Sequence, residues 1–173
     1  MKQIEWNIVT FNIRTLRDEE KLIELEAEIK KIKWTIIGLA EVRRTGEQCI
    51  KLKSRHVLFS KGREDKKEGG VGLLINKTEV DKVSQYKAIS ERVISIVIDI
   101  NKRYKCKVIQ VYAPTLTQED EEIEKFYEKN NEALKTDKTR YTIIMDNFNA
   151  NVGIQEEPNE QGIGPFGLGK KIQ

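Results

Sequence analysis

The sequence predicts an α/β fold in which two sheets pack against each other and helices flank them. Three observations carry this reading. A β-α-β unit opens the chain, a run of mostly antiparallel strands follows, and an α-β unit precedes a glycine-rich end. About seven strands accompany only two firm helices, the proportion of a two-sheet sandwich.

Residues 4–13, "IEWNIVTFNI", carry apolar groups on both faces and are expected to form an interior strand. In "RDEEKLIELEAEIKKIKW" Leu22, Leu25, Ile29 and Ile32 recur at helical spacing, Asp18 suits the N-cap, and acidic residues fill the first turn. "TIIGLAE" (35–41) reads as a short buried strand ending in a glutamate. After a polar connection, "HVLFS" (56–60) and "VGLLI" (71–75) read as strands on either side of the loop "KGREDKKEGG". "RVISIVIDI" and "KCKVIQVY" alternate well, and the polar "NKRY" between them predicts an antiparallel hairpin. A helix is predicted over roughly 118–136, with Ile123, Phe126, Tyr127, Asn130 and Leu134 on one stripe. "YTIIM" (141–145) is the last strand. From Gly153 onward the chain holds five of its eleven glycines and shows no periodicity. Residues 1–153 are therefore expected to be the folded domain and 154–173 an irregular tail. No final strand closes the design, so the fold is expected to be incomplete at its C-terminus.

Composition narrows the classes. The chain has 173 residues, 38% hydrophobic and 34% charged, which suits one domain with a core and excludes a disordered polymer. No apolar run reaches the roughly 18 residues of a membrane span, and no secretory leader is evident at the start. Cys49 and Cys106 are too few and too far apart for a metal knuckle or a disulfide framework, so a reduced, intracellular setting is expected, with no membrane partner. Net charge is +3, and basic residues cluster at 30–33, 43–44, 51–55 and 61–67. Such clusters are compatible with phosphate contact, although solvated faces are their ordinary use.

Several polar residues stand where apolar strands end: Asn12, Glu41, Tyr112 and the cluster Asp146, Asn147 and Asn149 in "DNFNA". Strand ends are where sheet proteins usually bind ligands, and these groups together would suit a phosphate and an oxygen-seeking cation. Each also has a plainer reading. Asn12, Asn147 and Asn149 are turn-formers, Glu41 before two arginines makes a surface ion pair, and Tyr112 fits a core edge with a wet hydroxyl.

Taken in order, "TFNIRTL", "KWTIIGLAEVRRTG", "GGVGLLI", "ERVISIVIDI", "IQVYAPT", "IIMDNFNANVG" and "GPFGLG" resemble the endonuclease/exonuclease/phosphatase superfamily. Within it the likeness is to the endonuclease domains of LINE-type retrotransposons and to host proteins derived from them. The resemblance implies Mg²⁺-dependent hydrolysis of DNA phosphodiesters, with Mn²⁺ as a substitute and no small-molecule cofactor. It implies that Glu41 is the principal metal ligand and that Asn12 helps order metal and phosphate. Tyr112 would contact the scissile phosphate or the leaving oxygen, and Asn149 would hydrogen-bond the phosphate. Arg92 matches an arginine that opens a strand in several relatives and is assigned to phosphate binding.

Two departures qualify that expectation. Relatives end the last strand as "GDFNA"; here Asp146 replaces the glycine and Asn147 replaces the aspartate that orients the attacking water. An amide does not accept a proton at neutral pH. In an extended strand Asp146 would point to the opposite face and could not substitute. The family's serine-aspartate-histidine segment is also missing, and the one histidine, His56, sits in a strand-like stretch and is expected to be structural. The expectation is therefore a C-terminally truncated nuclease-like domain with lost or impaired chemistry and weak metal binding. DNA would be held weakly and without sequence preference, in the nucleus. The alternative is a non-catalytic DNA- or protein-binding module, and either leaves room for a partner chain that completes the fold.

Overall fold

In the computed structural model, which describes residues 5–115 and 118–147, the first half of the chain builds one sheet and the second half another. The first holds β1 (Ile8–Asn12), β2 (Ile36–Ala40), β3 (Glu47–Lys51), β4 (Val57–Lys61) and β5 (Val71–Ile75), in the order β1-β2-β5-β4-β3. The helix α1 (Glu19–Ile29) crosses between parallel β1 and β2; the other pairings are antiparallel. The second holds β6 (Val83–Ser90), β7 (Val93–Asp99), β8 (Lys105–Tyr112) and β9 (Tyr141–Asn147), in that order. Here α2 (Asp120–Lys135) crosses between parallel β8 and β9.

Side-chain alternation divides each strand between two layers. Ile36, Leu73 and Ile75 face the second sheet and meet Ile94, Ile96, Ile98, Cys106 and Val108. Ile37, Leu39, Leu58 and Leu74 face the other way, onto Leu22, Leu25 and Ile29 of α1. Val93, Ile109 and Val111 likewise pack on Phe126 and Ala133 of α2. The result is helix, sheet, sheet, helix, the sandwich that the element order predicts.

Several details differ from the sequence reading. β1 lies at the sheet edge among the described residues rather than inside it, and Phe11 is 38% exposed. Its two apolar faces reflect its place between layers: Val9 packs on the α1 cluster and Ile8 on the inter-sheet cluster. Asp18 caps α1 as expected, accepting from the Lys21 amide at 2.9 Å. The helix stops at Ile29, whose carbonyl takes the Trp34 Nε1 donor at 3.1 Å, so Ile32 lies beyond it and is 41% exposed. On α2 the buried residues are Phe126 and Ala133, while Tyr127 and Leu134 are 59% and 42% exposed. A helix resting on the sheet by a narrow contact needs a small residue there, and Ala133 supplies it. β3 and β6 add to the strands that the sequence predicts, so the described residues hold nine. The tail after residue 153 lies outside the described residues. No helix among them is long and apolar enough to cross a membrane.

Candidate active site

Parallel pairing aligns β1 and β2 with Asn12 opposite Ala40, so both strands end at one rim. Asn12 is the last residue of β1, and Glu41 follows β2 directly. Asn12 Nδ2 donates to Glu41 Oε1 at 2.8 Å, and its own Oδ1 accepts from the Arg14 amide at 3.1 Å. Arg43 Nη2 donates to Glu41 Oε2 at 3.0 Å. Burial pushes the Glu41 carboxyl up, but the Asn12 and Arg43 hydrogen bonds and the charges of Arg43 and Arg14 outweigh it. Its pKa is held below the ordinary carboxylate value.

The backbone here is strained. Arg14, Glu41 and Arg43 all take positive φ, at 59°, 59° and 52°. Non-glycine residues rarely adopt this region, and it persists only where surrounding structure fixes it. Val42, fully buried, is the fixing point: its carbonyl accepts from the Leu16 amide at 2.9 Å. The next amide, Arg43 N, donates to the Gly69 carbonyl at 2.8 Å. Gly70 must be glycine, because its φ is 86° and a Cβ there would lie 2.9 Å from Val42 Cγ2.

The same loop reaches the second sheet, where a Cβ at Gly69 would lie 3.6 Å from Tyr112 Cε1. Tyr112 ends β8, and Arg92 directly precedes β7. The Tyr112 amide donates to the Arg92 carbonyl at 2.9 Å, and Arg92 Nη1 donates to the Tyr112 carbonyl at 3.4 Å. The Arg92 guanidinium sits 5.4 Å from the Tyr112 ring centroid and pairs with Glu122 at 3.6 Å. A cavity of about 260 Å³ opens beside them, where Arg63, Lys66 and Arg92 line the wall together with Glu68, Glu91 and Glu122.

Four of the six expected site residues thus fall into two contacting pairs, Asn12 with Glu41 and Arg92 with Tyr112, joined through the Gly69–Gly70 loop. Asn147 is the register partner of Tyr112 at the end of β9; its side chain lies outside the described residues, as does all of Asn149. Asp146 is the register partner of Val111, which packs towards α2. Parallel partners share a face, so Asp146 lies on the α2 side and not on the Tyr112 side. Arg43 and Arg14 complete the Glu41 environment; the sequence showed Arg43 only as part of a basic run and gave Arg14 no role. His56 is remote: Val57 is aligned with Ile75 and so with Ile36, the start of β2, whereas Glu41 follows its end. His56 Nδ1 accepts from the Lys77 amide at 3.0 Å, and its ring lies 4.7 Å from Trp34. Among the described residues, no three His, Cys, Asp or Glu side chains gather as a ready metal site.

Solved structures share this architecture. The 3′ phosphatase NExo from Neisseria, bound to a product DNA hairpin, matches with a TM-score of 0.57 at 17% identity, covering 84% of this chain and 58% of that one. The AP endonuclease LMAP from Leishmania major matches with a TM-score of 0.58 at 10% identity, covering 85% and 56%. The two-sheet α/β sandwich described above is the fold that this chain shares with both proteins. Within this shared fold, Glu41 and Tyr112 occupy one rim of the two-sheet sandwich. In sequence the chain is 34% identical to craniofacial development protein 2 from Bos taurus over 166 residues, covering 95% of this chain and 27% of that protein. The counterpart from Tragulus javanicus is 33% identical over 166 residues, covering 95% and 28%. The chain therefore spans about a quarter of the length of the curated relatives it matches. No family model matches it.

Proposed function

We propose that residues 1–153 are a retrotransposon-derived, endonuclease-like domain that binds DNA phosphodiesters at this rim and hydrolyses them poorly or not at all. The observation that carries the reading is the Asn12–Glu41 pair at the tips of two parallel strands, with Tyr112 and Arg92 on the facing sheet. Glu41 and the Asn12 amide oxygen suit a hard cation, Mg²⁺ or Mn²⁺, that keeps most of its ligands as water and phosphate oxygens. When bound, the metal would supply charge stabilisation to the phosphoryl oxygens. Both Glu41 oxygens already accept N–H donors, so metal binding is weak.

The chain's own groups set the remaining chemistry. Tyr112 contacts the scissile phosphate or the leaving oxygen. Arg92, braced against the Tyr112 ring, adds positive charge for the phosphate, and Asn149 hydrogen-bonds it. Asn147 stands where a proton acceptor is needed, and an amide is not one. The histidine that these 173 residues contain is at the other end of the first sheet. Binding is weak, independent of sequence and sensitive to salt. A DNA ligand makes the nucleus the working compartment.

The test is nicking of supercoiled plasmid with Mg²⁺ or Mn²⁺, beside a Glu41→Ala control. Equal, near-background rates are expected, and clear Glu41-dependent nicking would overturn the loss of chemistry. Duplex binding should weaken with added salt and on Arg14→Glu substitution; binding indifferent to Arg14→Glu would move the ligand off this rim. A second reading, a non-catalytic binding module, is favoured by one observation. Arg43 already neutralises Glu41 from within the chain.

A further inference from the structure

Two of the larger hollows among the described residues lie far from the Glu41 rim. They open at the opposite end of the first sheet, on either side of Lys77. One, of about 420 Å³, is lined by Lys51, Arg55, Val57, Lys77, Val80 and Asp81. The other, of about 630 Å³, includes Glu26, Lys30, Lys53, Ser54, His56 and Lys77. We propose that this end is a second nucleic-acid-binding surface, which grips backbone phosphates with Lys30, Lys51, Lys53, Arg55 and Lys77.

The five cations come from three elements and are all exposed. Lys30 follows α1, Lys51 ends β3, Lys53 and Arg55 belong to the β3–β4 turn, and Lys77 follows β5. Elsewhere many basic side chains are paired: Lys21, Lys31, Lys33, Arg43, Lys61, Arg63, Lys66, Lys82, Lys87, Arg92, Lys105 and Lys129 each hold a carboxylate. Among the described residues none of the five cations here does so. Only Glu26 and Asp81 line the hollows as acids, and Glu26 is engaged in accepting the Ser54 amide at 2.9 Å.

The cations stand on anchored backbone. The turn is closed by Leu52 N to the His56 carbonyl and Arg55 N to the Leu52 carbonyl, both at 2.9 Å, and the Ser54 bond ties it to α1. Arg55 is held at φ 72°, a region costly for a residue with a side chain. His56 Nδ1 holds the Lys77 amide. His56 thereby has a positioning task that joins both hollows.

The size and shape identify the ligand. β3 and β5 flank β4, so Lys51 at the end of β3 and Lys77 just past β5 stand on backbones at least roughly 10 Å apart, at about 4.8 Å per strand. That span exceeds one phosphate group and suits successive phosphates of a polymer. The hollows are concave, which a strand of phosphates can enter and a flat bilayer surface cannot. With the Glu41 rim at the other end, one chain could hold two nucleic-acid segments at once.

The experiment compares wild type with Lys53→Glu/Arg55→Glu/Lys77→Glu and with a charge-matched control, Lys102→Glu/Arg103→Glu/Lys125→Glu. Fluorescence anisotropy with a labelled duplex gives affinity against salt, and circular dichroism checks folding of every variant. In a rim-disabled background, Arg14→Glu/Arg43→Glu, residual binding should fall about tenfold or more with the first triple and little with the control. The salt slope should drop by roughly 0.9 for each phosphate that is no longer neutralised. Wild type on an immobilised duplex should also capture a second, labelled duplex, and the first triple should not. Equal effects of the two triples would overturn the proposal, as would preferential binding to phosphatidylserine vesicles. Failure of the rim reading alone has a different signature: capture fails in wild type, while single-duplex binding stays sensitive to the first triple.

Discussion

Arg43 reaches back over two residues to hold the Glu41 oxygen that Asn12 leaves open, at 3.0 Å. The carboxylate is thus shared between a neutral amide and a cation, with Arg14 adding further positive charge. A divalent metal must compete with that guanidinium for the same oxygen.

Removing the competitor should therefore strengthen metal binding. Arg43→Gln is expected to tighten Mg²⁺ binding about two- to fivefold, the scale of one partly exposed ion pair. Titration calorimetry measures it. Unchanged affinity would place the metal away from Glu41.

The lowered Glu41 pKa fixes a direction for acid stability. An unfolded glutamate titrates near pH ~4.3, and the folded one lower. The stabilisation is complete above the unfolded value and is lost as pH falls through the folded value. The Tm advantage of wild type over Glu41→Gln should stay level at neutral pH and shrink below about pH 4.3. An advantage that grows on acidification would reverse the sign of the shift.

Asn147→Asp alone should leave plasmid nicking near background, because it restores an acceptor but supplies no histidine at the rim. Attaching a relative's serine-aspartate-histidine segment alone should also fail. Groups acting as a unit are strongly non-additive, each worth typically ~10²–10⁴-fold. Only the combined protein is expected to nick DNA in a Mg²⁺- and Glu41-dependent way. Full activity from the segment alone would show that an amide suffices at position 147.

Gly38 sits in β2 beneath the rim, where a Cβ would collide with the side-chain oxygen of buried Gln110 and lie 2.9 Å from Met145 Cε. Gly38→Ala should cost about 1–3 kcal/mol as overpacking, read from the urea midpoint. Adding Gln110→Ala should recover part of the loss. A neutral single variant would mean that the layer yields more easily than its burial implies.

The parts of this fold that the sequence declares are those whose cause is local. Apolar runs at 36–40, 71–75, 93–99 and 105–112 announce buried strands, and Asp18 announces a helix start. β3 is silent because each partner it meets is on one side only: "EQCIK" alternates between exposed and half-buried positions at a sheet edge. β6 is silent because its pairing with β7 slips twice, between Val83 and Gln85 and between Ala88 and Ser90. Asn12 and Glu41 were legible as polar strand ends, since parallel pairing of their strands brings both to one rim. Arg43 was not, because its role depends on three positive φ angles that no spacing rule announces.

Sheet membership here never interleaves along the chain. Residues 8–75 make one sheet and 83–147 the other, with a single passage between them. Asn12 and Glu41 belong to the first half, and Arg92 and Tyr112 to the second. A chain severed between Asn76 and Lys82 would therefore carry half a rim on each fragment. Mixing the fragments turns the rim into a reporter of reassembly: anything that reads Glu41 and Tyr112 together reads whether the two halves have found each other.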